Sequence, residues 1–195
     1  MDIQHVNVKI YVEGDLTVDP ARFIDIFHGW IAKQAQEKLV DELLIDVADY
    51  RHVPSGPGVM LIGFEADYSM DNIGNRYGLR YNRKAALDGT NEDRLGQALR
   101  SAARACRELE SEFEEDGALK FSRREFELFI NDRALAPNTP DTFAALKPEL
   151  EAFLRKALGH GDFTLEHQSD PRRLFRVTVK TATPFDLAAI AGAGA

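Results

Sequence analysis

The fold is decided by two short segments, Val6-Asn7-Val8-Lys9-Ile10 and Phe126-Glu127-Leu128-Phe129-Ile130. Each carries an apolar residue at every second position, which is the pattern of a strand with one buried face. A shift of 120 residues places the first segment on the second without a gap, and the match continues over about forty positions. The chain is therefore predicted to contain an internal repeat.

The same shift aligns the elements that follow these strands. Asp19-Pro20 and Thr139-Pro140 coincide, and each combines an N-cap residue with a proline suited to the first helical turn. A second strand follows in each half, and the third strands match when the shift drops to 116. A closing helix then gives the order β-α-β-β-α twice. The predicted fold class is α+β, a ferredoxin-like sandwich of two pseudo-repeats with an antiparallel sheet and its helices on one face.

The predicted organisation is one domain, residues 1–195. One half spans residues 1–116 and contains an inserted segment, 64–89, and the other half spans residues 121–195. Residues 117–122 are too short for a flexible linker between domains. Features present in only one half are the better candidates for function.

Composition narrows the class of protein. The chain has 195 residues, one cysteine and a formal net charge of −8. This acidity argues against general binding to nucleic acid or to an anionic membrane, although a local basic patch is compatible with it. No stretch has the length or hydropathy of a membrane span or a signal peptide, so a cytoplasmic location is expected.

The inserted segment contains the main basic cluster, formed by Arg76, Arg80, Arg83 and Lys84. Arginine is suited to bidentate recognition of carboxylate or phosphate. Residues 78–82 are predicted to form a strand, in which Arg76 and Arg80 face one side while Arg83 faces the other. The cluster is a candidate binding site for an anionic ligand, or else a solvated edge strand.

The loop at residues 51–58 is longer than its counterpart in the second half. Its Gly56-Pro57-Gly58 turn can bring backbone N–H groups close to an anion, with Arg51 and His52 at its mouth. The loop lacks the spacing and the lysine of a phosphate-binding P-loop. A long hairpin turn is the alternative interpretation.

Catalytic and metal-binding patterns are weak. The histidines are scattered and the single cysteine, Cys106, lies on an apolar helix stripe, so neither a metal nor a cofactor is predicted. If the chain is an enzyme, His52 is the candidate acid/base and Glu65 or Asp67 its carboxylate partner.

The sheet face away from the helices is predicted to carry an apolar patch of Tyr11, Met60, Ile62, Phe64 and Phe129. Such a patch marks an interface or a ligand groove. The inserted segment, a second subunit or a ligand could cover it.

Three functions follow from these patterns. The leading prediction is a non-catalytic binding or adaptor protein, a homodimer that recognises an anionic small molecule or an acidic protein partner. The alternative is a small-molecule enzyme that combines the His52 pair with an arginine clamp for an anion. A structural assembly factor is the third.

Overall fold

Across residues 1–115 and 117–192, which the structure describes, the chain forms one sheet of eight strands and four helices. The structure is a computed structural model. The strands are β1 (Val6–Val12), β2 (Leu44–Tyr50), β3 (Gly58–Gly63), β4 (Ala66–Asp71), β5 (Gly78–Arg83), β6 (Phe121–Ile130), β7 (Phe163–His167) and β8 (Phe175–Thr181). The helices are α1 (Arg22–Lys33), α2 (Asn91–Glu112), α3 (Pro140–Leu158) and α4 (Leu187–Gly192). The prediction of an α+β class with an antiparallel sheet is confirmed.

The sheet order is β2-β3-β4-β5-β1-β6-β8-β7, and every neighbouring pair is antiparallel. The two repeated segments lie in β1 and β6, which are neighbours in the interior of the sheet. Val8 pairs with Leu128, the residue onto which the 120-residue shift moves it. The β1–β6 pair therefore joins the two halves of the chain, with one pair of equivalent residues directly opposite each other.

The inserted segment extends the sheet and does not cover it. Residues 66–71 and 78–83 enter as β4 and β5, between β3 and β1. The strand predicted at residues 78–82 is present, one residue longer than expected. The connection between β4 and β5 includes a short 3-10 turn at Ile73–Asn75, and it packs against the open face, where two of its carbonyls accept from Lys9.

The core lies between the sheet and the helices. Val8, Leu61 and Tyr81 are fully buried on the helix-covered face, together with Trp30 of α1 and Cys106 of α2. Thr139 caps α3 as its pattern predicts, because its hydroxyl accepts from the Thr142 N–H. None of the four helices in the described residues combines the length and the hydropathy of a bilayer-spanning segment.

One strand differs from its predicted facing. A β-bulge at the start of β2 adds a residue between Leu44 and Asp46, so Leu44 is buried opposite Gly63 while Ile45 is 54% exposed. The alternation of Leu43, Ile45 and Val47 in the sequence predicts the reverse, with Ile45 toward the helices and Leu44 on the open face. Because side chains alternate with a period of two, one bulged residue reverses the facing of its neighbours.

Gly58 explains the Gly-Pro-Gly turn that precedes β3. Its φ is +67°, and a Cβ at this position would lie 2.1 Å from the carbonyl oxygen of Met70. Both the left-handed backbone and the close approach require glycine. Backbone geometry beside β4 therefore requires the second glycine of this turn.

Candidate functional site

The open face of the sheet is charged and partly buried. Rows of side chains cross it from strand to strand, and one row pairs Glu127 of β6 with Lys9 of β1 and Lys9 with Arg80 of β5. Lys9 and Glu127 are only 2% and 8% exposed. Buried charge of this kind needs partners.

Lys9 and Asp71 form the centre of this face. Their side chains are 3% and 1% exposed, and Lys9 Nζ lies 2.7 Å from Asp71 Oδ1. Lys9 also donates to the carbonyl oxygens of Ile73 and Arg76, at 3.3 and 2.8 Å. Burial lowers the pKa of Lys9, while the Asp71 carboxylate opposes that shift. All three ammonium protons have acceptors, so Lys9 holds the β4–β5 connection against the sheet.

Arg76 fastens the same connection to β6. Its guanidinium lies 3.7 Å from the centre of the Tyr11 ring and donates to both carboxylate oxygens of Glu125, at 3.0 and 2.9 Å. This hydrogen bonding lowers the pKa of Glu125. Burial, reinforced by the Glu127 carboxylate, raises the pKa of Tyr11. Tyr11 is therefore a neutral phenol covered by a cation.

A cleft of about 320 Å³ runs over these residues, and we call it the mixed-charge cleft. Six cationic and four acidic residues line it. Each acid has a cationic partner within 4.0 Å: Asp71 with Lys9, Glu125 with Arg76, Glu127 with Arg176 and Glu166 with Lys180. The cleft is consequently close to neutral, apart from Arg80 and Arg173.

A second hollow, of about 440 Å³, adjoins this cleft, and we call it the arginine hollow. Its lining contains no acidic residue and five arginines: Arg80, Arg133, Arg172, Arg173 and Arg176. Arg80 and Arg176 project from strands, and their side chains are 17% and 23% exposed. The other three come from the loops after β6 and before β8 and are exposed. Five guanidinium groups therefore surround one hollow and form a local concentration of positive charge in a chain of net charge −8.

Two buried polar atoms at the junction of the cleft and the hollow have no hydrogen-bond partner among the described residues. These atoms are Asp71 Oδ2 and Arg80 Nε. Arg80 approaches Asp71 Oδ2 only to 3.5 Å and lies 4.7 Å from the centre of the Phe129 ring. Buried polar groups are normally satisfied, and exceptions often mark a missing water, ion or ligand.

Asn138 holds together the loops that carry the arginines. Asn138 is only 1% exposed. Its Nδ2 donates to the carbonyl oxygens of Gln168 and Asp170, at 3.1 and 3.0 Å. Its Oδ1 lies 2.8 Å from His167 Nε2. Since Oδ1 can only accept, Nε2 of His167 carries the proton. The loop after β6 is in this way joined to the loop before β8.

His167 gives the loop contact a pH dependence. Its ring stacks on Phe143, with centroids 4.8 Å apart, and burial lowers its pKa below the ordinary 6.5. The unfolded chain therefore takes up the proton before the folded chain does as the pH falls. The stabilising contribution is complete above pH 6.5 and is lost as the pH falls from 6.5 through the lower pKa of the folded state.

We expect His167→Phe to remove this part of the pH dependence, because phenylalanine does not titrate and can occupy the same stack. The loss of the Asn138 contact lowers stability by an amount that does not change with pH. The measurement is the free energy of urea unfolding at pH 8, 7, 6 and 5 for both proteins. The wild-type curve should fall more steeply below pH 6.5, and parallel curves would contradict the assignment.

The predicted basic cluster is divided between two faces. Arg76 and Arg80 line the mixed-charge cleft together. Arg83 points to the opposite face, where it is 7% exposed and pairs with Glu65 at 3.0 Å. Lys84 pairs with Asp67 at 2.7 Å and donates to the Gly63 carbonyl. Arg83 and Lys84 are thus not brought together with Arg80.

The loop at residues 51–58 contributes less than its sequence suggests. Arg51 is exposed and bonds Asp49 through Nε and Nη2, at 2.9 and 2.8 Å. His52 is exposed beside Tyr50. From this loop only Ser55 lines the arginine hollow, and its hydroxyl accepts from the Gly74 N–H at 3.0 Å.

The acid/base pair considered for an enzyme is not assembled. His52 follows β2 at one end of β3, whereas Glu65 lies in the turn at the other end and Asp67 pairs with Ile62. Because five residues of strand span about 17 Å, His52 is far outside hydrogen-bonding distance of either carboxylate. Residues 1–115 and 117–192 also hold no group of three or more histidine, cysteine or acidic side chains placed to bind a metal ion.

Arg133, Arg172, Arg173 and Arg176 are not among the residues predicted from the sequence. Their signal was visible, since three arginines occur within residues 172–176. The segment was treated as the shorter counterpart of the loop at residues 51–58. Strand order supplies the missing information: Arg176 pairs with Phe129, and Phe129 pairs with Asn7 of β1, next to the strand of Arg80.

The predicted apolar patch is smaller than expected. Tyr11 and Phe129 are only 6% and 8% exposed and lie beneath Arg76 and Arg80. Met60 and Ile62 are half-buried, and Phe64 is 70% exposed. Two aromatic residues predicted at an interface therefore form the floor of the charged site.

Comparison of the chain with protein-family models, curated proteins and solved structures finds no match.

Proposed function

We propose that this chain is a non-catalytic binding protein that holds an anionic ligand or partner in the arginine hollow. The observation that carries the proposal is the lining of the hollow by five arginines and no carboxylate. Arginine forks form paired, charge-assisted hydrogen bonds with carboxylate and phosphate oxygens. Asp71, the acid nearest Arg80, is already paired with Lys9.

A stacking platform for single-stranded nucleic acid is less well supported. Such platforms present aromatic faces to the bases. Arg76 covers Tyr11 and Arg80 covers Phe129, so neither ring offers a free face. The net charge of −8 points in the same direction.

Arg173→Glu should weaken the binding of an anionic ligand at least tenfold, because a charge-assisted hydrogen bond contributes about 1.5–3 kcal/mol. Arg173 suits this test since it is 60% exposed, so its replacement should leave folding intact. Binding of a panel of anions, including an oligoglutamate peptide, is measured by calorimetry at low salt.

The matched control for this test is Arg155→Glu. Arg155 is an exposed residue of α3, outside both linings. It changes the net charge by the same amount. Equal losses in the two variants would mean that overall charge, and not the hollow, governs binding.

We also infer that the protein is a homodimer whose contact includes Met60, Ile62 and Phe64. Support comes from the exposure of Phe64, at 70%, beside the half-buried pair. Phe64→Glu should give monomers in native mass spectrometry. Leu135→Glu, at an apolar residue that is 47% exposed elsewhere, should not. A dimer unaffected by Phe64→Glu would contradict this interface.

We infer in addition that the two halves are copies of one ferredoxin-like β-α-β-β-α unit. The second half runs β6-α3-β7-β8-α4, with strand order β6-β8-β7. The first half has the same order of elements once β4 and β5 are set aside. The pairing of Val8 with Leu128 supports an approximate twofold relation between the halves.

A further inference from the structure

The arginine hollow contains more positive charge than the neighbouring carboxylates can balance. Arg172 and Arg173 share Asp170, at 3.0 and 3.6 Å, and Arg176 has Glu127 at 3.9 Å. Asp71 is already neutralised by Lys9. Two carboxylates, Asp170 and Glu127, are therefore available to five arginines, which leaves three positive charges without a carboxylate.

The direction of the arginines bears on the shape of the ligand. Arg80 reaches the hollow from β5, Arg133 from the loop after β6, and Arg172 and Arg173 from the loop before β8. A carboxylate offers two oxygens in one plane. A phosphate group offers three acceptor oxygens that point in different directions, and it carries about −1.5 to −2 charge at pH 7.

A second observation also points to a ligand. The buried Nε of Arg80 has no hydrogen-bond partner among the described residues, and Asp71 Oδ2, in a side chain only 1% exposed, is likewise unpartnered. Both residues line the mixed-charge cleft, and Arg80 also lines the hollow. Both atoms are closed to water in this structure, so a ligand in the hollow would supply their missing partners once the Arg80 side chain turns toward it.

We propose that the ligand is a small molecule with a diphosphate or longer polyphosphate group, which the five arginines bind, and a polar body that lies along the mixed-charge cleft. This inference rests on the function proposed above and specifies its chemistry. The paired acids of the cleft leave little net charge there, which suits a neutral hydroxyl-bearing body. The hollow and the cleft, of about 440 and 320 Å³, are in the size range of small-molecule sites.

Titration calorimetry with inorganic pyrophosphate tests the inference. Pyrophosphate should bind at least tenfold more tightly than inorganic phosphate and more tightly than citrate, which matches its charge with planar carboxylates. Arg133→Gln combined with Arg173→Gln should weaken pyrophosphate binding at least tenfold. Arg155→Gln combined with Arg104→Gln, on α3 and α2, is the matched control and should leave it unchanged.

The outcomes separate this inference from the proposed function. If an oligoglutamate peptide binds in an Arg133- and Arg173-dependent manner while pyrophosphate does not, the hollow binds anions but the polyphosphate inference is overturned. Citrate binding as tightly as pyrophosphate would overturn it too. If pyrophosphate binds equally well to the double variant, the site is wrong. If no anion binds, both proposals fail.

Discussion

Replacing Lys9 with methionine is expected to lower the free energy of unfolding by about 3 kcal/mol, because the buried Asp71 carboxylate keeps only Arg80, at 3.5 Å, as a cationic partner. The side chains of Lys9 and Asp71 are 3% and 1% exposed, so water cannot take the place of the ammonium group. The carbonyl oxygens of Ile73 and Arg76 lose a donor at the same time. Equilibrium unfolding in urea at pH 7 measures the loss.

Two further variants make this result interpretable. Lys38→Met removes an exposed lysine that pairs with Asp41 at 3.1 Å, and it should cost less than about 1 kcal/mol. Lys9→Met combined with Asp71→Leu removes both buried charges and should recover part of the loss. A Lys9→Met protein as stable as Lys38→Met would show that the ammonium does not hold the β4–β5 connection.

Asn138→Ala is expected to cost about 3 kcal/mol, because it leaves several buried polar groups without partners at about 1–3 kcal/mol each. The carbonyl oxygens of Gln168 and Asp170 lose their donor, and His167 loses its acceptor. These contacts join the loop of Arg133 to the loop of Arg172 and Arg173. Amide hydrogen exchange should therefore accelerate at residues 168–174, and binding of an anion should weaken even though no arginine has changed.

Asn131→Ala is the control for this substitution. Asn131 is an exposed residue of the same loop, and its backbone N–H bonds the His5 carbonyl, which alanine preserves. It should change stability by less than about 0.5 kcal/mol. If Asn138→Ala leaves both stability and loop exchange like those of Asn131→Ala, the two loops are not joined through this side chain.

Local alternation was sufficient to find the strands at Val6 and Phe126 and to separate Arg80 from Arg83, because facing along a regular strand depends only on parity. The bulge in β2 broke that parity and reversed Leu44. The two strands of the inserted segment were harder to place. Alternation predicts one of them, at residues 78–82, but their position between β3 and β1 depends on the strand order of the whole sheet.

The site was predicted only in part for the same reason. Arg76 and Arg80 were identified as candidates from their charge and spacing. Arg133 and Arg176 lie far from them in the chain and meet Arg80 only through the strand order β5-β1-β6-β8. His52, in contrast, had suitable chemistry but stands at the wrong end of β3. A residue type indicates what a side chain can do, while the topology determines which other side chains it meets.

The pairing of β1 with β6 joins the five strands of residues 1–115 to the three strands of residues 117–192. Cleavage between α2 and β6 would expose the edges along which β1 and β6 are hydrogen-bonded to each other in the intact sheet. Each fragment would then present a new open edge, β1 with seven residues or β6 with ten, in addition to its outer strand β2 or β7, and exposed edges of this kind recruit other chains. When the two fragments are mixed in equal amounts, they should associate with each other through these edges. Kept apart, each should associate with itself.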